Sequence, residues 1–325
     1  MGQLFPGSRV KLVGDIGGTN ARLALWNDSS GSPQEEETLA CADYRDLGAA
    51  IEDYLARKGG KRIDEAAVAV ATPILGDRIR FTNNPWDFSV DETRDRLGLR
   101  RLLVLNDFKA LALALPRLRS DELRQVGNGQ SEADRPIALL GAGTGLGVSG
   151  LVPSDEGWIA LEGEGGHTTF APANARESSI LGALWQRHDH VSTERLASGP
   201  GITALYWALC IVDGLVPEEP SPEEVSARAA MGDVRAGEAL EIFCQILGTA
   251  AGNLCLTLGA RGGVYIGGGI VPSLGERFDR SGFRGRFESK GRFSSYLAAV
   301  PTYVITARNP ALRGVAQAFG EAETS

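Results

Sequence analysis

The chain has 325 residues, 43% of them apolar, and a formal net charge of −8. That length suits two domains with ordinary cores. The negative balance excludes a nucleic-acid surface, which needs Lys and Arg against phosphates, and it disfavours an anionic membrane. A small phosphorylated ligand remains open, because backbone dipoles and a metal ion neutralise it locally. Residues 1–10 carry no charged segment followed by an apolar one, so no secretory signal is read there, and Pro6 stands where myristoylation would need Ser or Thr. No apolar run is expected to reach membrane-spanning length. Cys41, Cys210, Cys244 and Cys255 lie far apart, a spacing that fits reduced thiols in a bacterial-type cytoplasm better than a disulfide framework.

Residues 10–26 read as a β-hairpin whose turn is Gly17-Gly18-Thr19-Asn20. A helix is expected over 47–58 and a fully apolar strand over 66–71. A polar loop follows at 82–86, then a helix over 91–97. A buried strand over 102–105 ends at Asn106-Asp107 and hands over to an apolar helix over 108–115, stopped by Pro116. Such alternation signals a sheet covered by helices. Residues 127–136 are polar and read as a crossing into a second domain. That domain opens with a second glycine turn, Gly141-Ala142-Gly143-Thr144-Gly145-Leu146-Gly147, followed by the strand-like 148–152. Residues 178–260 read as mostly helical, broken by an exposed loop at 217–222. Val264-Tyr265-Ile266 is a strand leading into Gly267-Gly268-Gly269, with Pro272 in the first turn of the next helix. The recurring strand–glycine turn–strand unit suggests duplication of a half-molecule.

Glycine makes up 42 of the 325 residues, twice the usual share of roughly 7%, without a collagen-like period. Glycine lets backbone approach a ligand closely, so successive N–H groups converge on an oxyanion. Two such turns point to a polyphosphate. The second is not a dinucleotide fingerprint, because a strand and not a helix follows it. Asp15 sits in an otherwise apolar strand; it either fastens the turn by a hydrogen bond or organises Mg2+ through water. Asp107 is either a helix N-cap or a general base for phosphoryl transfer. Glu162, Glu164 and His167 form a metal site, a sugar-binding cluster or simple loop polarity. Glu194 alone reads as a solvated helix residue, and His188-Asp189-His190 as surface with a metal site as the lesser option.

Taken together, residues 12–25 (LVGDIGGTNARLAL), Asn106-Asp107-Phe108, 141–148 (GAGTGLGV), 163–167 (GEGGH), 194–201 (ERLASGPG) and 262–272 (GGVYIGGGIVP) closely resemble the bacterial ATP-dependent glucokinase family. The resemblance implies an α/β, two-domain hexokinase/actin-like ATPase (ribonuclease H-like) fold with an interdomain cleft. It implies a small domain of residues 1–117 plus about 308–325, and a large one of 118–307. By analogy Gly14, Asp15, Ile16, Gly17, Gly18 and Thr19, with Gly143, Thr144 and Gly145, would cradle the ATP phosphates, and Gly267, Gly268 and Gly269 would lie near the adenosine. Mg2+ would be held through water by Asp15. Asp107 would be the base for the sugar 6-hydroxyl, and Asn106, Glu164, His167 and Glu194 would hydrogen-bond the other hydroxyls. The expected reaction is phosphorylation of glucose at the expense of ATP in the cytoplasm, with no nucleic acid or membrane partner and with a homodimer plausible. The zinc-binding cysteine cluster of the wider repressor-related sugar kinases has no counterpart at Thr168-Thr169-Phe170-Ala171-Pro172. A kinase of the same fold acting on another acceptor, or an ATP-switched filament or chaperone-like protein, would use the same nucleotide chassis.

Overall fold

The computed structural model describes residues 10–29, 31–81 and 84–321. Thr82 and Asn83 of the expected 82–86 loop, and the N-terminal segment read for signals, lie outside the described residues apart from Val10. Contacts divide the chain into one unit of residues 1–119 and 307–325 and another of residues 120–306.

In the first unit β1 (Lys11–Ile16), β2 (Asn20–Trp26), β3 (Pro33–Ala40), β4 (Glu65–Val70) and β7 (Arg101–Asn106) form a five-stranded sheet in the order β3-β2-β1-β4-β7, while β5 (Arg78–Arg80) and β6 (Asp87–Ser89) form a separate pair. β1 pairs antiparallel with β2 and parallel with β4, which pairs parallel with β7. The period-2 alternation of strands decides the layers. Leu12, Ile16, Ala66, Val68 and Val70 face the helix Leu47–Arg57 through Leu47, Ala50, Ile51 and Tyr54. Val13, Ala67 and Ala69 face Ala110 and the C-terminal helix Ala311–Glu321 through Leu312, Val315 and Phe319. Glu65, an acid in the wholly buried β4, is neutralised by Arg100 at 2.6 Å and Arg101 at 3.1 Å.

The second unit carries β8 (Leu123–Val126), β9 (Ile137–Ala142), β10 (Leu146–Ser154), β11 (Gly157–Gly163), β12 (Val264–Gly267) and β13 (Thr302–Ile305) in the order β11-β10-β9-β12-β13-β8. Its first three strands are an antiparallel meander and β9, β12 and β13 run parallel, so the five-strand order of the first unit recurs with one added edge strand. The repeated strand–glycine turn–strand unit thus lies in a recurring strand order. Between β11 and β12 the chain forms four longer helices, Ala175–Leu184, Gly199–Val212, Pro222–Ala230 and Val234–Leu258.

Two expectations are corrected. The helix Val234–Leu258 has 25 residues and an 18-residue stretch of mean hydropathy 1.4, long and apolar enough by composition to cross a membrane. Its apolar face, including Leu240, Phe243, Ile246 and Leu247, is instead the centre of the second unit's core. Short-range polar interruptions (Glu238, Glu241, Gln245) hide that run in the sequence. The 217–222 segment is not wholly exposed either: Pro220 is buried, and its carbonyl accepts the Thr203 hydroxyl at 2.8 Å.

Gly314 sets how closely the C-terminal helix meets the Asp107–Ala114 helix. A methyl group there would overlap the Ala110 carbonyl oxygen. Gly314→Ala must push the two helices apart, at a cost of about 1–3 kcal/mol. Its thermal midpoint should fall by several degrees in calorimetry, whereas Gly320→Ala, with open space around it, should leave the midpoint near that of the parent.

Candidate active site

The parallel strands of the first unit end in register. Ile16 pairs with Val70, and Val70 pairs with Asn106, so the turn after β1 and the helix after β7 leave the sheet along one edge. This is the edge at which open α/β sheets bind ligands. The turn closes on itself through the Gly17 N–H, which donates to the Asn20 carbonyl at 2.9 Å.

Asp15 stands opposite Arg22 in the hairpin, and the Arg22 guanidinium donates to the Asp15 carboxylate at 3.1 Å. The side chain thus has a partner across the strands, which realises the fastening role and leaves it a half-buried acid beside the turn. Burial pushes the Asp15 carboxyl above its ordinary range, with the Arg22 charge and hydrogen bond opposing and the Glu36 charge adding to the rise. Sequence reasoning missed Arg22. The signal was available, since a hairpin centred on Gly18 and Thr19 places 15 against 22.

At the end of β7 the N-cap is Asn106, not Asp107. Asn106 keeps extended backbone (φ −63°, ψ 145°), and its side-chain oxygen accepts the N–H groups of Phe108 at 2.9 Å and Lys109 at 3.2 Å. The capping alternative for Asp107 is therefore overturned, because the helix starts one residue earlier than a cap at 107 allows. Asp107 becomes the first helical residue, with one carboxylate oxygen accepting the Phe108 N–H at 2.9 Å. The electropositive start of the helix suits a negative charge there. The cap occupies the Asn106 oxygen and leaves its NH2 group as the donor side.

In the second unit the glycine turn between β9 and β10 is tight, the Gly143 N–H donating to the Gly145 carbonyl at 2.8 Å. The helix Gly199–Val212 docks its first N–H, that of Gly199, on the Gly143 carbonyl at 2.8 Å, and Ser198 caps it through Gly201 N–H at 3.1 Å. A 14-residue helix aims its N-terminus at the turn, an arrangement that favours anions. Gly267, at the end of β12, pairs with Gly141, and Gly268 has φ +79° with a methyl there overlapping the Ala142 carbonyl. These two glycine segments meet backbone on backbone.

Glu194 joins this turn to the acidic and histidine residues. One carboxylate oxygen accepts the Leu146 N–H at 2.8 Å, and the other lies 3.7 Å from His167 Nδ1, whose Nε2 is 4.0 Å from Glu164. Gly145 has to be glycine for this reach, since a Cβ there would sit 2.5 Å from the Glu194 oxygen. So Glu164, His167 and Glu194 come together beside Gly143, Thr144 and Gly145, and Glu194 is no ordinary solvated helix residue. The metal alternative for Glu162, Glu164 and His167 finds no support: among the described residues no three His, Cys, Asp or Glu are placed to hold a metal ion. His190 Nε2 meets the Thr169 hydroxyl at 3.1 Å, and burial with the charges of Arg195 and Arg187 lowers the His188 pKa.

The family model described as Glucokinase matches residues 12–322. A glucokinase of Chromobacterium violaceum is 56% identical over 313 residues, covering 96% of this chain and 90% of that protein. One from Aromatoleum aromaticum is 52% identical, covering 96% and 95%. A crystal structure of glucokinase from an Antarctic psychrotroph superposes with a TM-score of 0.88 at 37% identity, covering 96% of this chain and 99% of that one. The fold is that of the hexokinase/actin-type ATPases.

An acid whose pKa is raised by folding destabilises the fold when ionised, above its unfolded value of about 3.8, and this cost disappears below it. Asp15→Asn should therefore gain thermal midpoint relative to the parent at pH 7.5 more than at pH 4. A gap independent of pH in paired melting curves would contradict the burial of the charge.

Proposed function

The chain belongs to the glucokinase family, ATP-dependent hexose kinases, and we propose that it moves the γ-phosphoryl group of ATP to the 6-hydroxyl of glucose with the residues described above. The observation that carries this reading is Glu194, whose two oxygens serve a phosphate-type turn on one side and His167 on the other. A side chain so placed couples the position of a sugar hydroxyl to that of a triphosphate.

In this reading the Asp107 carboxylate takes the 6-hydroxyl proton as that oxygen bonds to the γ-phosphorus, and the bond to the β,γ-bridging oxygen breaks to release ADP. Positioning and charge neutralisation dominate such a loose transfer. Asn106 donates through its NH2 group, and Glu164, His167 and Glu194 hydrogen-bond the remaining hydroxyls. Glu164 and His167 are exposed without ligand; once a bound sugar covers them, an acid or imidazole left without its hydroxyl rejects deoxy and epimeric sugars, by factors reaching about 10⁴ in sites built this way. The turns Gly17-Gly18-Thr19 and Gly143-Thr144-Gly145 hold the phosphates, with Gly267, Gly268 and Gly269 near the adenosine.

Mg2+ is held readily by one carboxylate, water and phosphate oxygens, and the donor set fits that demand: Asp15 is a single acid at the turn, half-buried and already partly balanced by Arg22. Bound there, the ion supplies neutralisation of the phosphate charge. All four cysteines are buried free thiols, which supports work in a reducing cytoplasm.

The test is ADP release from ATP and Mg2+ across a panel of hexoses. Glucose should be preferred over mannose and galactose. Asp107→Asn keeps the shape and removes the basicity, so kcat should fall by about 10²–10⁴ while glucose still binds by calorimetry. Undiminished turnover in that variant would take Asp107 out of the reaction.

A further inference from the structure

The loop before β6 contains a side chain whose burial the proposed reaction does not use. Asn84 is 7% exposed. Its amide NH2 donates to the Gly17 carbonyl at 3.0 Å, and its amide oxygen accepts the Trp86 N–H at 3.0 Å. Trp86, 1% exposed, anchors this loop by donating its indole N–H to the carbonyls of Cys41 at 3.0 Å and Tyr44 at 2.9 Å. The Cys41 thiol also approaches the Gly17 carbonyl, at 3.8 Å, and the Cys41 N–H donates to the Thr19 carbonyl at 2.8 Å.

We propose that Asn84 is a positioning residue for nucleotide phosphate, acting through the Gly17–Gly18 peptide; this rests on the reading of that turn as a phosphate cradle. The argument is geometric. The chain has no cis peptide bond among the described residues, so the carbonyl of residue 17 and the N–H of residue 18 point in opposite directions. Drawing the carbonyl towards the buried Asn84 turns the Gly18 N–H the other way, outward from the turn. A peptide between two glycines has little steric preference of its own. Without the Asn84 donor its carbonyl keeps only the weak thiol donor of Cys41 at 3.8 Å, and the peptide can rotate and present an oxygen where the phosphate needs a hydrogen. Asn84 selects the attractive orientation before the ligand arrives, so it acts on nucleotide affinity and not on the sugar.

Asn84→Asp separates the two bonds, because a carboxylate still accepts the Trp86 N–H but no longer donates to Gly17 and repels its oxygen. Affinity for Mg-ADP, measured by calorimetry, and the KM for ATP should weaken about tenfold or more, with glucose affinity unchanged. Asn84→Ala, which adds no charge, should do the same to a smaller degree, and it serves if the Asp variant fails to fold. Trp86→Phe is the structural comparison: it removes the indole bonds, so its melting temperature should drop while ADP affinity stays close to the parent's. Weakening of ADP binding in proportion to lost melting temperature across all three variants would reduce Asn84 to a fold residue and overturn the proposal. So would a loss of glucose affinity equal to that of ADP. Gly17→Val tests the underlying reading, since a Cβ at 17 meets only the Asn20 carbonyl, at 3.6 Å, and so has room in the unliganded turn. If Gly17→Val weakens ADP and Asn84→Asp does not, only the present proposal fails; if neither does, the turn is no phosphate cradle.

Discussion

Asn106 decides where the helix after β7 begins. Its amide oxygen takes the N–H groups of Phe108 and Lys109, two of the donors that any helix start leaves without partners. That single cap makes residue 107 the first residue of the helix, fixes its carboxylate at the end of a parallel strand, and aligns it with the turn after β1 through the Ile16–Val70–Asn106 register. Asp107 shares the Phe108 N–H through one carboxylate oxygen, but Asn106 alone takes that of Lys109, so the Asp107 carboxylate is not the group that closes the helix start. The division of labour between two adjacent residues, amide for structure and carboxylate for chemistry, underlies the proposed role of Asp107.

The glycines of the second unit show a different constraint. Those expected to serve ligands also serve the backbone itself. Gly141 touches Gly267, Gly268 lies against Ala142, and a methyl at Gly166 would overlap the Leu146 carbonyl. Close approach of this kind lets four segments distant in sequence, at the β9–β10 turn, 164–167, 194–201 and 267–269, share one small volume. Glu194 depends on it directly, since its bond to the Leu146 N–H passes over the place a side chain at 145 would occupy.

What the sequence makes legible is what is local. The hairpin around Gly17-Gly18-Thr19, the strand-to-helix handover at Asn106-Asp107, the strand running into Gly267 and the proline at 272 all follow from neighbours along the chain. The gathering of Glu164, His167 and Glu194 was legible only through family resemblance, because nothing in their spacing brings residue 194 to residue 167. Asn84 was seen merely as part of a polar loop. Its partner, Gly17, is 67 positions away, and a buried asparagine looks like a turn asparagine until its partner is known. The helix Val234–Leu258 falls within the stretch read as helical, but its apolar length does not show as a run, because Glu238, Glu241 and Gln245 interrupt it at helical spacing.

The two glycine turns occupy equivalent places in a repeated topology, yet they are fastened by different donors. In the second unit the Gly143 carbonyl is held by the N–H of Gly199, one of the unpaired donors at a helix start, so backbone orients that turn. In the first unit the Gly17 carbonyl receives its principal bond from a side chain, Asn84. A backbone fastening survives substitution at the donor residue; a side-chain fastening does not. The two units, alike in strand order, thus acquire unequal sensitivity, and the proposed phosphate cradle of the first is exposed to a single change at Asn84.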